Sequence, residues 1–168
     1  YPGADDQFEM MEEIREMAEE AKSVGLAVVI WSYPRGGNLT SIGETALDVT
    51  AYAAHMAALL GAHIIKVKPP KADIFQPEAQ KVYAEQGIAL DTLTQRIEHV
   101  VQSSFNGRRI VVFSGGASKD LESLYSEIRE IRDGGANGSI IGRNTFQRPR
   151  EEALKMLDTI INIYLGKA

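Results

Sequence analysis

The sequence predicts an α/β fold built on a parallel sheet. Three observations carry that prediction. Four short apolar runs, "LAVVIWSYP", "AHIIKVKPP", "RRIVVFSGG" and "GSIIGRN", read as strands; a segment of helical period follows each; and glycine or proline marks most changes of period. Strand–helix alternation implies parallel neighbours joined by right-handed crossovers. Two closures satisfy the pattern: an open doubly wound sheet, or part of an eight-stranded (β/α)8 barrel of about 250 residues, of which four units are half.

The chain starts at Tyr1 rather than Met, and "YPGADD" reads as a loop leaving an earlier element, so a fragment is expected. Asp5 or Asp6 is placed to cap the first helix, in which Phe8, Met11, Ile14, Met17, Ala18 and Ala21 recur at helical spacing and carboxylates fill the other face. That charge run reads as a solvated face, and Gly25 ends the helix. The first strand is continuously apolar, as parallel strands covered on both faces are. After the loop "RGGNLTSIG", the second helix is "ETALDVTAYAAHMAALLG", stopped by Gly61. A longer connection follows the second strand, with a short helix near Glu78 to Glu85. Asp91 then opens a helix that Asn106 and Gly107 end. "LESLYSEIREIRDGG" is the helix after the third strand, and "PREEALKMLDTIINIYL" closes the chain with Pro149 near its first turn.

Residues 1–168 are long enough for one domain with a sizeable core. A net charge of -5 argues against a general nucleic-acid binder, which needs a basic surface, so any anion site must be local. The absence of cysteine removes disulfides, thiol nucleophiles and thiolate metal sites, and fits a reducing compartment. No apolar run approaches the roughly 20 residues of a membrane span, and no membrane partner is expected. His55, His63 and His99 have neither ligand spacing nor an evident carboxylate partner; they read as helix-face or surface residues, and no metal is expected.

The chemistry gathers at strand ends. Period-2 alternation puts Lys66 and Lys68 on one face of the second strand if Ile65 and Val67 face the helices. The same rule places Trp31, Tyr33 and Arg35 together on the first strand. All lie at carboxyl ends, where barrels and open α/β sheets alike carry their sites. An amine in apolar surroundings with a second cation nearby favours its neutral, nucleophilic form, which can condense with a ketone to a Schiff base. Lys66 is then a covalent catalyst, and Lys68 either tunes it or binds phosphate. The alternative is that both lysines extend from the strand end into solvent and Trp31 is core. The third strand ends in Ser114, Gly115 and Gly116 and the fourth in Gly142, Arg143 and Asn144. Glycines that let the backbone approach, a hydroxyl and a guanidinium make a phosphate site; taken singly, each glycine motif is also an ordinary turn.

In order and spacing, "WSYPRGG", "IIKVKPP", "VVFSGGASKD" and "SIIGRNTFQRP" resemble the archaeal-type class I fructose-bisphosphate aldolases, a TIM-barrel family. The resemblance covers essentially the whole chain and implies that it is the C-terminal half of the barrel, strands five to eight. It implies that Lys66 is the Schiff-base lysine, Tyr33 the proton-transfer tyrosine and Trp31 the active-site tryptophan. Ser114, Gly115, Gly116, Gly142 and Arg143 then match the phosphate loops, and Arg35 a substrate-binding arginine. A catalytic aspartate at the end of strand one would lie outside this chain. The implied reaction needs no cofactor and takes a phosphorylated sugar; the family implies a cytoplasmic homo-oligomer in its full-length form. Two alternatives are a related Schiff-base lyase or synthase acting on another phosphorylated ketose, and a noncatalytic phosphate-binding half-barrel.

Overall fold

The computed structural model describes residues 1–37, 39–116 and 120–167. Four strands, β1 (Val29–Trp31), β2 (Ile64–Val67), β3 (Ile110–Ser114) and β4 (Gly138–Ile140), form one sheet in sequence order, each neighbouring pair parallel. The helices are α1 (Gln7–Ser23), α2 (Leu47–Leu59), α3 (Pro77–Glu85), α4 (Leu93–Ser103), α5 (Leu121–Asp133), α6 (Arg143–Phe146) and α7 (Arg150–Tyr164), with a 3-10 turn at Gly43–Thr45. The parallel α/β prediction therefore holds.

One face of the sheet is packed and the other is open. Ile30, Ile65, Val67, Val111 and Phe113 form a buried cluster with Leu47, Ala51, Ala54 and Ala58 of α2 and Ile97 and Val100 of α4. The alanines of α2 let its backbone lie close to the sheet, because small side chains shorten the distance between layers. A second cluster joins Leu124 and Ile128 of α5 to Met156, Ile160 and Ile163 of α7. On the opposite sheet face Val29, Trp31, Ile110 and Ile140 are exposed. The apolar continuity of the strands predicted cover on both sides; among the described residues only the helical side has it.

Several local expectations are corrected. Asp6 stands at the N-cap of α1 but its carboxylate makes no capping bond; Gln7 Oε1 instead accepts from the Gly3 amide at 3.0 Å. Phe8 and Met17 are exposed, because they flank the covered stripe of Met11, Ile14, Ala18 and Ala21. Asp91 does not open α4: Thr92 caps it, its hydroxyl accepting from Gln95 N while the Gln95 side chain accepts from Thr92 N. β1 is short because Pro34 has no amide hydrogen to continue the ladder. β4 stops at Ile140, so Gly142 and Arg143 do not end a strand: Gly142 caps α6, its carbonyl accepting from Thr145 N and Phe146 N. The glycine stops hold, with Gly25 at φ +78° and Gly61 at φ +94°, beyond the ends of α1 and α2.

The histidines have structural partners. His63 Nδ1 accepts from Val28 N at 2.9 Å, His55 Nδ1 donates to Ser103 O at 2.8 Å, and His99 Nε2 shares a 2.7 Å hydrogen bond with the Tyr83 hydroxyl. Burial pushes the Tyr83 hydroxyl up to about 12, with Asp48 adding to the shift, and burial lowers His99.

Asp48, at the start of α2, fastens the loop after β2. Its buried carboxylate accepts from Phe75 N and Gln76 N, both at 2.9 Å, beside Leu47 N to Asp73 O and Lys71 N to Thr45 O. Asp48→Ala is expected to lower the free energy of unfolding by about 2–3 kcal/mol, the scale of hydrogen bonds to a charged acceptor. Urea denaturation measures it, and an unchanged midpoint would show that the clamp contributes nothing.

Candidate active site

The open sheet face bears the predicted residues because Ser32 sets the polarity of β1. Its hydroxyl donates to Ala53 O of α2 at 2.7 Å and its amide to Lys66 O at 2.9 Å. Ser32 thus points to the helices, and Trp31 and Tyr33 point away from them. In the β1–β2 register Trp31 is opposite Lys66, so the two share a face. The Lys66 Nζ lies 3.7 Å from the centre of the Trp31 ring and 5.8 Å from that of Tyr33. The rings are 6.4 Å apart and inclined by 31°. Lys66 is 6% exposed although Trp31 is 60% exposed, so the indole shields the amine at its own expense. Attraction of a cation to the ring faces holds it there. Among the described residues no acidic side chain forms an ion pair with Lys66.

Lys68 is in a different situation. Its Nζ is 3.2 Å from Glu44 Oε2 and 5.8 Å from the Tyr33 ring centre. Tyr33 therefore stands between an unpaired and a paired lysine. Lys68 also lines a cleft of about 340 Å³ with Thr45, Lys71, Ser114, Gly116 and Glu127. Two of the five expected phosphate residues, Ser114 and Gly116, thus share one concavity with Lys68.

The loops after β3 and β4 are tied together. Arg143 Nη2 donates to Gly116 O at 3.1 Å, and the buried Asn144 Nδ2 donates to Gly115 O at 3.1 Å. Gly115 N in turn donates to Ile140 O. A Cβ on Gly115 would sit 3.1 Å from Ile141, and Gly116 is at φ +64°, so both positions favour glycine. Gly142 and Arg143 reach the cleft only through Gly116. Ala117, Ser118 and Lys119 of the "VVFSGGASKD" motif lie outside the described residues. Arg35 is not gathered with the lysines: its guanidinium carbon is 5.7 Å from the centre of the Tyr1 ring and its amide donates to Pro2 O.

Two residues of this region escaped sequence reasoning. Glu44 reads as the first residue of a helix but belongs to the 3-10 turn before α2. Asn144 ends the predicted "GRN", but that motif gave no sign that its side chain bridges to another loop. Among the described residues no group of three or more His, Asp or Glu side chains could hold a metal ion, and no helix is long and apolar enough to cross a membrane. A larger groove of about 590 Å³ beside α4, bordered by Ile88, Gln95 and His99, contains none of the strand-end residues.

Parallel strand–helix units with a shielded amine and tied glycine loops at the carboxyl ends of the strands define an α/β protein of the strand-end-site class. Residues 1–148 match the DeoC/LacD family aldolase pattern, and the chain belongs to that family. It is 34% identical over 170 residues to the fructose-bisphosphate aldolase/6-deoxy-5-ketofructose 1-phosphate synthase of Methanocaldococcus jannaschii, covering 100% of this chain and 48% of that protein. It is 34% identical over 153 residues to a class 1 fructose-bisphosphate aldolase of Halobacterium salinarum, covering 91% and 49%. A solved archaeal fructose-1,6-bisphosphate aldolase, with its catalytic lysine covalently bound to the carbinolamine intermediate of the substrate, superposes with a TM-score of 0.76 at 28% identity over 98% of this chain and 55% of that one. The chain thus spans about half the length of the curated relatives it matches.

Proposed function

We propose that these four units are strands five to eight of a TIM barrel, a single domain here, and that the completed barrel is a class I fructose-bisphosphate aldolase. The observation that carries the reading is the Lys66 amine, buried at a strand end against Trp31 and Tyr33 and without a carboxylate partner among the described residues. The similar archaeal aldolase, whose catalytic lysine is covalently bound to a carbinolamine, supports the same chemistry.

In that mechanism the neutral Lys66 amine attacks C2 of fructose 1,6-bisphosphate, and the carbonyl oxygen leaves as water. The resulting protonated imine accepts the electron pair of the C3–C4 bond as the C4 hydroxyl loses its proton, releasing glyceraldehyde 3-phosphate and leaving an enamine. Protonation at C3 and hydrolysis return dihydroxyacetone phosphate and the free amine. Tyr33, with a carboxylate from strand one, carries these protons. Ser114, Gly115, Gly116, Gly142 and Arg143 anchor the C1 phosphate and hold the ketone beside Lys66; Lys68 contributes charge, and Arg35 meets the other phosphate. No cofactor takes part, because the imine is the electron sink. The exposed sheet face is covered by the first four strands, and the full-length protein is a cytoplasmic homo-oligomer.

The test is aldol cleavage by a barrel completed with four N-terminal strand–helix units, assayed with and without EDTA. Turnover that survives the chelator is expected; turnover lost to EDTA and restored by zinc would overturn the Schiff-base reading. The M. jannaschii relative, also a 6-deoxy-5-ketofructose 1-phosphate synthase, favours a second reading, a related Schiff-base lyase or synthase acting on another phosphorylated ketose. Cleavage rates measured across a panel of ketose phosphates separate the two.

A further inference from the structure

Resting on the reading that the strand-end cleft receives a phosphate, we propose that Glu44 is a specificity-determining residue: its carboxylate holds Lys68 as a stand-in anion and releases it to a ligand that brings a phosphate dianion. Lys68 Nζ is bound to Glu44 Oε2 at 3.2 Å, while Lys68 itself lines the cleft with Lys71, Ser114 and Gly116. The lysine therefore lines the cleft read as taking the phosphate, and it is already partnered.

The two ends of this pair differ in freedom. Glu44 sits on a turn fixed from several sides. Its amide donates to Thr40 O at 3.0 Å, and Gly43 N donates to Thr40 Oγ1 at 3.2 Å. A Cβ on Gly43 would come within 3.0 Å of the Phe75 ring, so the turn lies directly against the loop after β2. Lys71 N to Thr45 O and Leu47 N to Asp73 O, with the Asp48 carboxylate on Phe75 N and Gln76 N, lock turn and loop together. Lys68 ends a flexible stem of four carbons, with its side chain 25% exposed against 32% for Glu44. The lysine can trade partners, whereas the backbone carrying the carboxylate is fixed.

The trade has a direction. A dianion attracts the ammonium more strongly than one carboxylate does and brings more acceptor oxygens, so phosphate can displace Glu44, while a monoanionic ligand meets a cation already neutralised. The pair also prevents Lys68 from standing as an uncompensated second cation beside Tyr33 and Lys66. Substrate and product phosphates both bind less tightly than the lysine alone would bind them, which favours release.

The test is titration of the 168-residue chain with inorganic phosphate, followed by calorimetry, in Glu44→Gln, Glu44→Asp, Lys68→Met and the Glu44→Gln/Lys68→Met double variant, each checked for native circular dichroism. Glu44→Gln should bind phosphate about two- to fivefold more tightly, the scale of a partly exposed ion pair. Glu44→Asp should keep the original affinity. In the Lys68→Met background Glu44→Gln should have no further effect, which shows that the carboxylate acts through Lys68. Weaker or unchanged binding in Glu44→Gln overturns the proposal. So does a gain that persists without Lys68, since Glu44 would then repel anions generally, and so does a chain that binds no phosphate. In the completed barrel the KM for the bisphosphate should fall in Glu44→Gln without a rise in kcat; a raised KM again overturns it. Imine trapping at Lys66 reads the aldolase proposal separately, so either can fail while the other stands.

Discussion

Borohydride reduction in the presence of dihydroxyacetone phosphate is expected to fix a mass increment on the peptide containing Lys66. The reagent delivers hydride to the imine carbon and converts a reversible C=N linkage into a stable secondary amine, so the label marks the nitrogen that attacked the ketone. Two lysines on one strand compete for that role, and the structure distinguishes them physically. Lys66 is buried against two aromatic rings, while Lys68 is more exposed and bound to Glu44. An ammonium held by a carboxylate must leave that partner before it can act as a nucleophile. Lys66→Ala should abolish the increment, whereas Lys68→Ala should weaken phosphate binding and leave trapping at Lys66. The measurement belongs in the completed barrel, read by peptide mass spectrometry. A label on Lys68, or none, overturns the assignment of the nucleophile.

Tyr33→Phe is expected to lower turnover by about 10²-fold or more while imine formation partly survives, as befits loss of a general acid or base. The substitution keeps the ring that faces both lysines at 5.8 Å and removes one hydroxyl, so packing changes little and proton transfer bears the loss. Single-turnover kinetics separate trapping from carbon–carbon cleavage and show which step slows. A variant that turns over normally would make Tyr33 a wall of the pocket and move the proton chemistry to other groups.

The lysine strand was legible because alternation is local. Once Ile65 and Val67 face the helices, where both are buried, Lys66 must face the other way; its own burial comes from the Trp31 ring, which alternation does not announce. The apolar period of α4 was equally plain, but its cap was not: Asp91 and Thr92 are both good caps, and only the reciprocal bonds with Gln95 choose Thr92. In α1 the apolar spacing marks a wider stripe than the structure covers, since composition shows which residues are apolar and not which edge of the stripe meets a neighbour. Glu44 and Asn144 were missed for a further reason. A carboxylate before a helix or an amide after a strand has the same local signature whether it faces solvent or crosses to another loop.

Sequence by itself determined the alternation of strands and helices, the parallel sheet that follows from it, the face on which Trp31, Tyr33, Lys66 and Lys68 stand, and the glycines at the loop ends. These properties repeat with the period of the backbone or depend on a residue's own dihedral freedom, so each can be read within a few positions. The tertiary structure decided that Lys68 is paired with Glu44 while Lys66 has no acidic partner among the described residues, that Arg35 lies against Tyr1, and that Asn144 and Arg143 tie the last two loops together. Each of these facts joins residues distant along the chain through a hydrogen bond or charge contact a few ångströms long. Such contacts form only after packing has fixed the distances, which is why no local pattern announces them.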